Sequence, residues 1–111
     1  MDAFYERDNA GLVMCMILYS EFAVDAVHTT LDSVGVAGFT ELEKVTGRGP
    51  RGQHFDTHVW PGYDGMIYCV VGAEQSEPLI DALTALNTTL EGNSRGSRGL
   101  HVFTWACQQR L

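Results

Sequence analysis

Leu12-Val13-Met14-Cys15-Met16-Ile17-Leu18-Tyr19 is apolar at nearly every position and contains neither glycine nor proline. It has strand length and falls far short of the roughly 20 apolar residues a membrane-spanning helix needs. Without polar alternation, it predicts a strand covered on both faces and therefore central in its sheet. Met66-Ile67-Tyr68-Cys69-Val70-Val71 is a second stretch of the same kind, and it predicts a second central strand.

The segments around these two stretches supply the other elements. After the first, Ser20 has the character of a helix N-cap, and Glu21 suits the positive helix start. Val24, Val27, Leu31 and Val34 then recur on one helical face, and Gly35 and Gly38 end the helix. Phe39 to Val45 mixes apolar and charged residues, which predicts an edge strand. Gly47 to Gly65 is a long connection holding five of the twelve glycines and two of the three prolines. Ser76-Glu77-Pro78 predicts a second helix start, with proline in the first turn. Leu79, Leu83, Leu86 and Leu90 continue that helix, and Gly92 stops it. Asn93 to Gly99 reads as a loop, and Leu100 to Cys107 as the last strand.

The resulting order is β-α-β-β-α-β, an α+β, ferredoxin-like arrangement with a four-stranded antiparallel sheet. Its first and third strands lie at the centre and both helices cover one face. The apolar pattern selects the same two strands for the centre as this topology does. The open face and the bare edges then call for cover, which a closed oligomer supplies. Residues 1–11 read as a polar tail and residues 12–111 as a single domain.

Composition narrows the function. The chain has 111 residues, 45% hydrophobic and 19% charged, which is ordinary for a globular domain and argues against disorder. The N-terminus lacks the basic region of a signal peptide. Three cysteines, spaced by 54 and 38 residues, fit no disulfide framework. The expected compartment is therefore the cytoplasm. A net charge of -7 weighs against nucleic acid as a partner, because phosphate contacts need an electropositive face.

The few basic residues cluster where the glycines are. Lys44, Arg48 and Arg51 accompany Gly47, Gly49 and Gly52, and Arg95 and Arg98 accompany Gly96 and Gly99. Closely spaced glycines let backbone N–H groups turn toward an anion, and arginines add charge and forked donors. Each stretch taken alone is equally a solvated turn. If an oligomer brings one copy's Arg95–Gly99 against a neighbour's Gly47–Gly52, the pair becomes an anion site. Neither stretch is a Walker loop or a G-x-G-x-x-G at a helix start.

Gly38-Phe39-Thr40, then Val45-Thr46-Gly47-Arg48-Gly49 and a glycine-rich passage through His58-Val59-Trp60-Pro61-Gly62 into the third strand, resembles the PII signal-transduction superfamily. The likeness is greatest to the PII-like proteins associated with transporters and carboxysomes, and it covers roughly residues 12–107. It implies a homotrimer with an adenine nucleotide between subunits. It also implies a flexible T-loop that reports to a partner, a membrane transporter or a carboxysome component. Carried over by position, Thr40, Gly47, Arg48 and Gly49 form the T-loop base with Arg51 close by, and Arg95, Arg98 and Gly99 fall in the phosphate-gripping B-loop. Two departures qualify this. No tyrosine lies between Gly47 and Trp60, so control by uridylylation is not expected. Leu100 follows Gly99 where the family has a B-loop lysine, so Arg98 or Arg95 must substitute. ADP or AMP is then expected rather than ATP, and bicarbonate stands open as a second ligand.

Histidine offers a rival reading: a divalent-metal protein of the CutA type, which shares this fold, using His54 and His58. On one strand, residues four apart sit about 13 Å from each other, so one ion would need both subunits of an interface. His28 reads as a helix-surface histidine. Cys15 and Cys69 read as inert buried thiols, and Cys107 as the more reactive one. No G-x-S-x-G and no Cys/His nucleophile signature is present. Asp56 with His54 or His58 could pair as acid and base, but the sequence gives the pair no oxyanion hole or metal. Leu18-Tyr19-Ser20-Glu21 lacks the Arg and Gly of an acylphosphatase loop. No catalytic activity and no bound cofactor are expected.

Overall fold

The computed structural model describes residues 11–43, 48–49, 52–53, 65–93 and 99–111. The tail at residues 1–10, and most of the long connection, lie outside them. Strand β1 spans Leu12–Tyr19. A 3-10 turn, Glu21–Ala23, leads into helix α1, Val24–Val34. Strand β2 is Thr40–Glu43. Within the predicted connection, β3 (Arg48–Gly49) and β4 (Gly52–Gln53) pair antiparallel as a small sheet of their own. Strand β5 (Gly65–Gly72), helix α2 (Ala73–Asn93) and strand β6 (His101–Ala106) complete the chain.

The main sheet has the order β2-β5-β1-β6, antiparallel throughout. The ferredoxin-like expectation is met, and the two continuously apolar strands are the central pair. Eight residues of β1 face eight of β5, from Leu12 opposite Gly72 to Tyr19 opposite Gly65.

Alternate residues of these strands divide the molecule. Cys15, Ile17 and Tyr19 from β1, with Ile67, Cys69 and Val71 from β5, point under the helices. There they pack with Val27 and Leu31 of α1, Leu79 and Leu83 of α2, and Leu100. The intervening residues make the other face. Met14, Met16, Tyr68 and Val70 lie there, flanked by Leu42 at one edge and Phe103 and Trp105 at the other. Leu42, Val70, Phe103 and Trp105 are about half-exposed. Among the described residues, the double-sided apolar pattern is thus covered on one side only.

Two helix boundaries differ from the sequence expectation. Ser20 begins the 3-10 turn instead of capping α1: Ala23 N–H donates to the Ser20 carbonyl at 2.9 Å, and the Ser20 side chain makes no cap. Helix α2 begins at Ala73, so Pro78 lies inside it. Ala73-Glu74-Gln75 favours helix, and the missing proline N–H forfeits one bond near the helix start. Gln75 has a task there. Its Nε2 donates to the carbonyls of Val34 and Gly35 at 3.3 and 3.0 Å, serving acceptors that the end of α1 leaves open. Gly35 closes α1 at φ +86, and Gly35 and Val36 N–H both return to Leu31, a left-handed termination that suits glycine.

Leu31 is fully buried between helix and sheet. Leu31→Ala should lower the unfolding free energy by about 2–5 kcal/mol. A urea titration should show a lower midpoint with an unchanged slope.

Candidate functional site

The two arginine-glycine stretches arise from strand ends whose positions the register sets. Glu43, the last residue of β2, lies opposite Gly65 of β5, which lies opposite Tyr19 of β1. On the far side, Leu18 lies opposite His101 of β6, just after Gly99 and Leu100. The roots of both stretches therefore stand at one end of the sheet, on its opposite edges. Three strand spacings, roughly 14 Å, separate them.

At the β2 edge, Thr40 opens the strand with its side chain exposed. It lines a cavity of about 270 Å³ with Gly38, Phe39, Met14, Tyr68, Cys69 and Val70. At the β6 edge, Gly99 is buried and left-handed at φ +68, and an added Cβ would overlap the Asn87 side-chain oxygen. That oxygen accepts the Leu100 N–H at 2.6 Å. Asn87, on α2, thereby holds the chain where it enters β6.

Arg48 and Gly49 lie in β3, opposite Gln53 and Gly52. Gly47, Arg51, Arg95 and Arg98 lie outside the described residues, as do His54 and His58 of the metal reading. Among the described residues no three His, Cys, Asp or Glu side chains gather as a metal site. No described helix is long and apolar enough to cross a membrane.

The structure adds a cluster that periodicity does not reveal. Glu41 of β2 accepts a hydrogen bond from the Tyr19 hydroxyl, and its two carboxylate oxygens each lie 3.1 Å from His28 Nε2 on α1. The His28 ring packs against Phe39, with centroids 5.3 Å apart. His28, on the surface of α1 with its side chain 37% exposed, thus bridges that helix to β2. The Tyr19 ring also lies over Gly65, where any Cβ would collide with it. One side chain accordingly anchors both roots of the 44–64 segment, β2 through Glu41 and β5 through Gly65. A glutamate on a short edge strand, a histidine on a helix and a tyrosine ending an apolar run carry no shared local pattern.

Known proteins can be set beside this geometry. The family model for the nitrogen regulatory protein P-II matches residues 13–106. This chain belongs to the P-II family. The family is one of regulatory signalling proteins, as the Gly38–Gly49 resemblance implied. No curated protein sequence matches the chain.

Solved structures share the fold at low identity. One is CPII, a nitrogen regulatory PII-like protein from Thiomonas intermedia K12, bound to ADP, AMP and bicarbonate. It is 22% identical with a TM-score of 0.65, over 90% of this chain and 93% of that one. A DUF3240 family protein from Shewanella baltica OS155 is 14% identical with a TM-score of 0.64, over 91% and 94%. Arabidopsis thaliana PII, solved with citrate, is 18% identical with a TM-score of 0.58, over 88% and 78%.

Tyr19→Phe removes the hydroxyl that donates to the Glu41 carboxylate and should cost about 1–3 kcal/mol of stability. Because His28 and Tyr19 share that carboxylate, Tyr19→Phe and His28→Ala should combine non-additively in a double-mutant cycle of unfolding free energies.

Proposed function

We propose that this P-II family member is a homotrimeric cytoplasmic regulator, without catalytic activity, that binds an adenine nucleotide in the clefts between subunits. ADP or AMP is the preferred ligand over ATP, with bicarbonate as a candidate second ligand. Occupancy changes the conformation of the Gly47–Gly65 segment, the T-loop of the resemblance. A partner protein, a membrane transporter or a carboxysome component, reads that change. Nucleic acid is not a partner.

The observation that carries this reading is the placement of the two loop roots at one end of the sheet on opposite edges. A rotation axis running along the strands takes one copy's β2 edge to the next copy's β6 edge without exchanging the two ends. Such head-to-tail contacts close into a ring. The half-exposed apolar face of Leu42, Val70, Phe103 and Trp105 favours the same assembly, since contiguous apolar surface marks association.

In the resulting cleft, backbone N–H groups at Gly47 and Gly49 and the guanidinium groups of Arg48, Arg51, Arg95 or Arg98 converge on the phosphates, beside Thr40 and Gly99. Charge-assisted bonds of this kind suit a diphosphate. Thr40 itself lines a cavity of about 270 Å³. CPII, which shares the fold, was solved with ADP, AMP and bicarbonate, and this supports the choice of ligand.

Titration calorimetry with ADP, AMP and ATP, with and without bicarbonate, tests the reading. Light scattering should report a trimer. Arg48→Ala and Arg98→Ala should each weaken ADP binding by about tenfold or more, the equivalent of one charged hydrogen bond. Unchanged affinity in both variants would remove the proposed site.

A further inference from the structure

Cys15 and Cys69 are far apart in the chain, yet the strand register sets them directly opposite each other on the two central strands. Directly opposed residues project to the same face. Their Cα atoms lie about 4.5 or 5.5 Å apart, depending on the class of antiparallel pair. Either spacing falls in the window of about 4.4–6.8 Å that a disulfide spans without backbone movement. The thiols meet beneath the helices and share a hydrogen bond. Both are free and buried, at 0% and 3% exposure. Two sulfur ligands fall short of a closed metal site, and no third His, Cys, Asp or Glu joins them among the described residues.

We propose that Cys15 and Cys69 form a reversible oxidation site, in which a hydroperoxide converts the facing dithiol into an intrachain disulfide. The Cys69 sulfur attacks the peroxide O–O bond, giving the sulfenic acid and releasing one water. The Cys15 sulfur then attacks the Cys69 sulfur and expels its hydroxyl, which leaves as a second water with the Cys15 proton. Two thiols and one hydrogen peroxide thus become one disulfide and two waters. The hydrogen bond from Cys15 holds the Cys69 thiol below its ordinary range, while that bond and burial push Cys15 up. Cys69 is accordingly the first nucleophile and Cys15 the resolving thiol. A small dithiol reductant reverses the product by exchange. This inference needs neither the nucleotide nor the trimer of the proposed function.

The three cysteines fall in separate tryptic peptides, 8–44, 52–95 and 99–110, so the products can be told apart by mass. The folded full-length protein and its Cys107→Ser variant are treated with hydrogen peroxide, unfolded in denaturant with an alkylating agent, and mapped without reduction. The expected result is a crosslink between peptides 8–44 and 52–95 in both proteins. It should be accompanied by loss of two alkylatable thiols per chain, and dithiothreitol should restore both. In Cys15→Ser, oxidation of Cys69 should stop at a trappable sulfenic acid. Quantitative alkylation of Cys15 and Cys69 after peroxide would overturn the proposal. So would crosslinks confined to Cys107, or over-oxidation of either buried thiol without the 15–69 bond.

Discussion

The eight-residue antiparallel pairing of β1 with β5 is the constraint on which the rest of this molecule depends. It places two strands without polar alternation side by side, so each of their faces demands cover. The helices satisfy one face, and Leu31 and Leu83 seal against Ile17 and Ile67 there. The other face is left to Leu42, Val70, Phe103 and Trp105, half in water. The same pairing decides which edge β2 takes and which falls to β6, and so where the two arginine-glycine stretches begin.

Because both faces of these strands are apolar, hydrophobic patterning specifies their register weakly. The Tyr19 ring over Gly65 supplies a sharper criterion. A slip of two residues would keep the faces but set Ile67 beneath the ring, where no space exists. A slip of one would reverse the faces. The Glu41 carboxylate, engaged by Tyr19 and His28, then ties β2 to the same corner. The corner is small, partly exposed and built from three elements, and it stands at the base of the segment that the family resemblance treats as the signalling loop. Both strands that flank residues 44–64 are held there by one aromatic residue in the core.

Register also turns two unremarkable cysteines into a pair. Each alone is an ordinary small residue of a central strand, and buried thiols in such places are usually inert. Opposite each other they share a hydrogen bond and an oxidisable geometry. The more exposed Cys107, which sequence position favoured as the reactive thiol, has no such neighbour among the cysteines of the described strands.

What the amino-acid sequence determined by itself was whatever is encoded locally. The unbroken apolar runs at Leu12–Tyr19 and Met66–Val71 identified the central strands. The recurrence of Val24, Val27 and Leu31, and of Leu79, Leu83 and Leu86, identified the helices, because each periodicity matches one backbone geometry. The composition of Gly47–Gly52 and Arg95–Gly99 raised the expectation of an anion site, and the motif from Gly38 to Gly49 pointed to the P-II family. Only the tertiary structure decided that α2 starts at Ala73, where Gln75 reaches the end of α1. It alone set Tyr19 over Gly65, His28 against Glu41 and Cys15 opposite Cys69. Those facts join residues between 13 and 54 positions apart in the chain, and no window of sequence contains both partners of a contact that folding alone brings together.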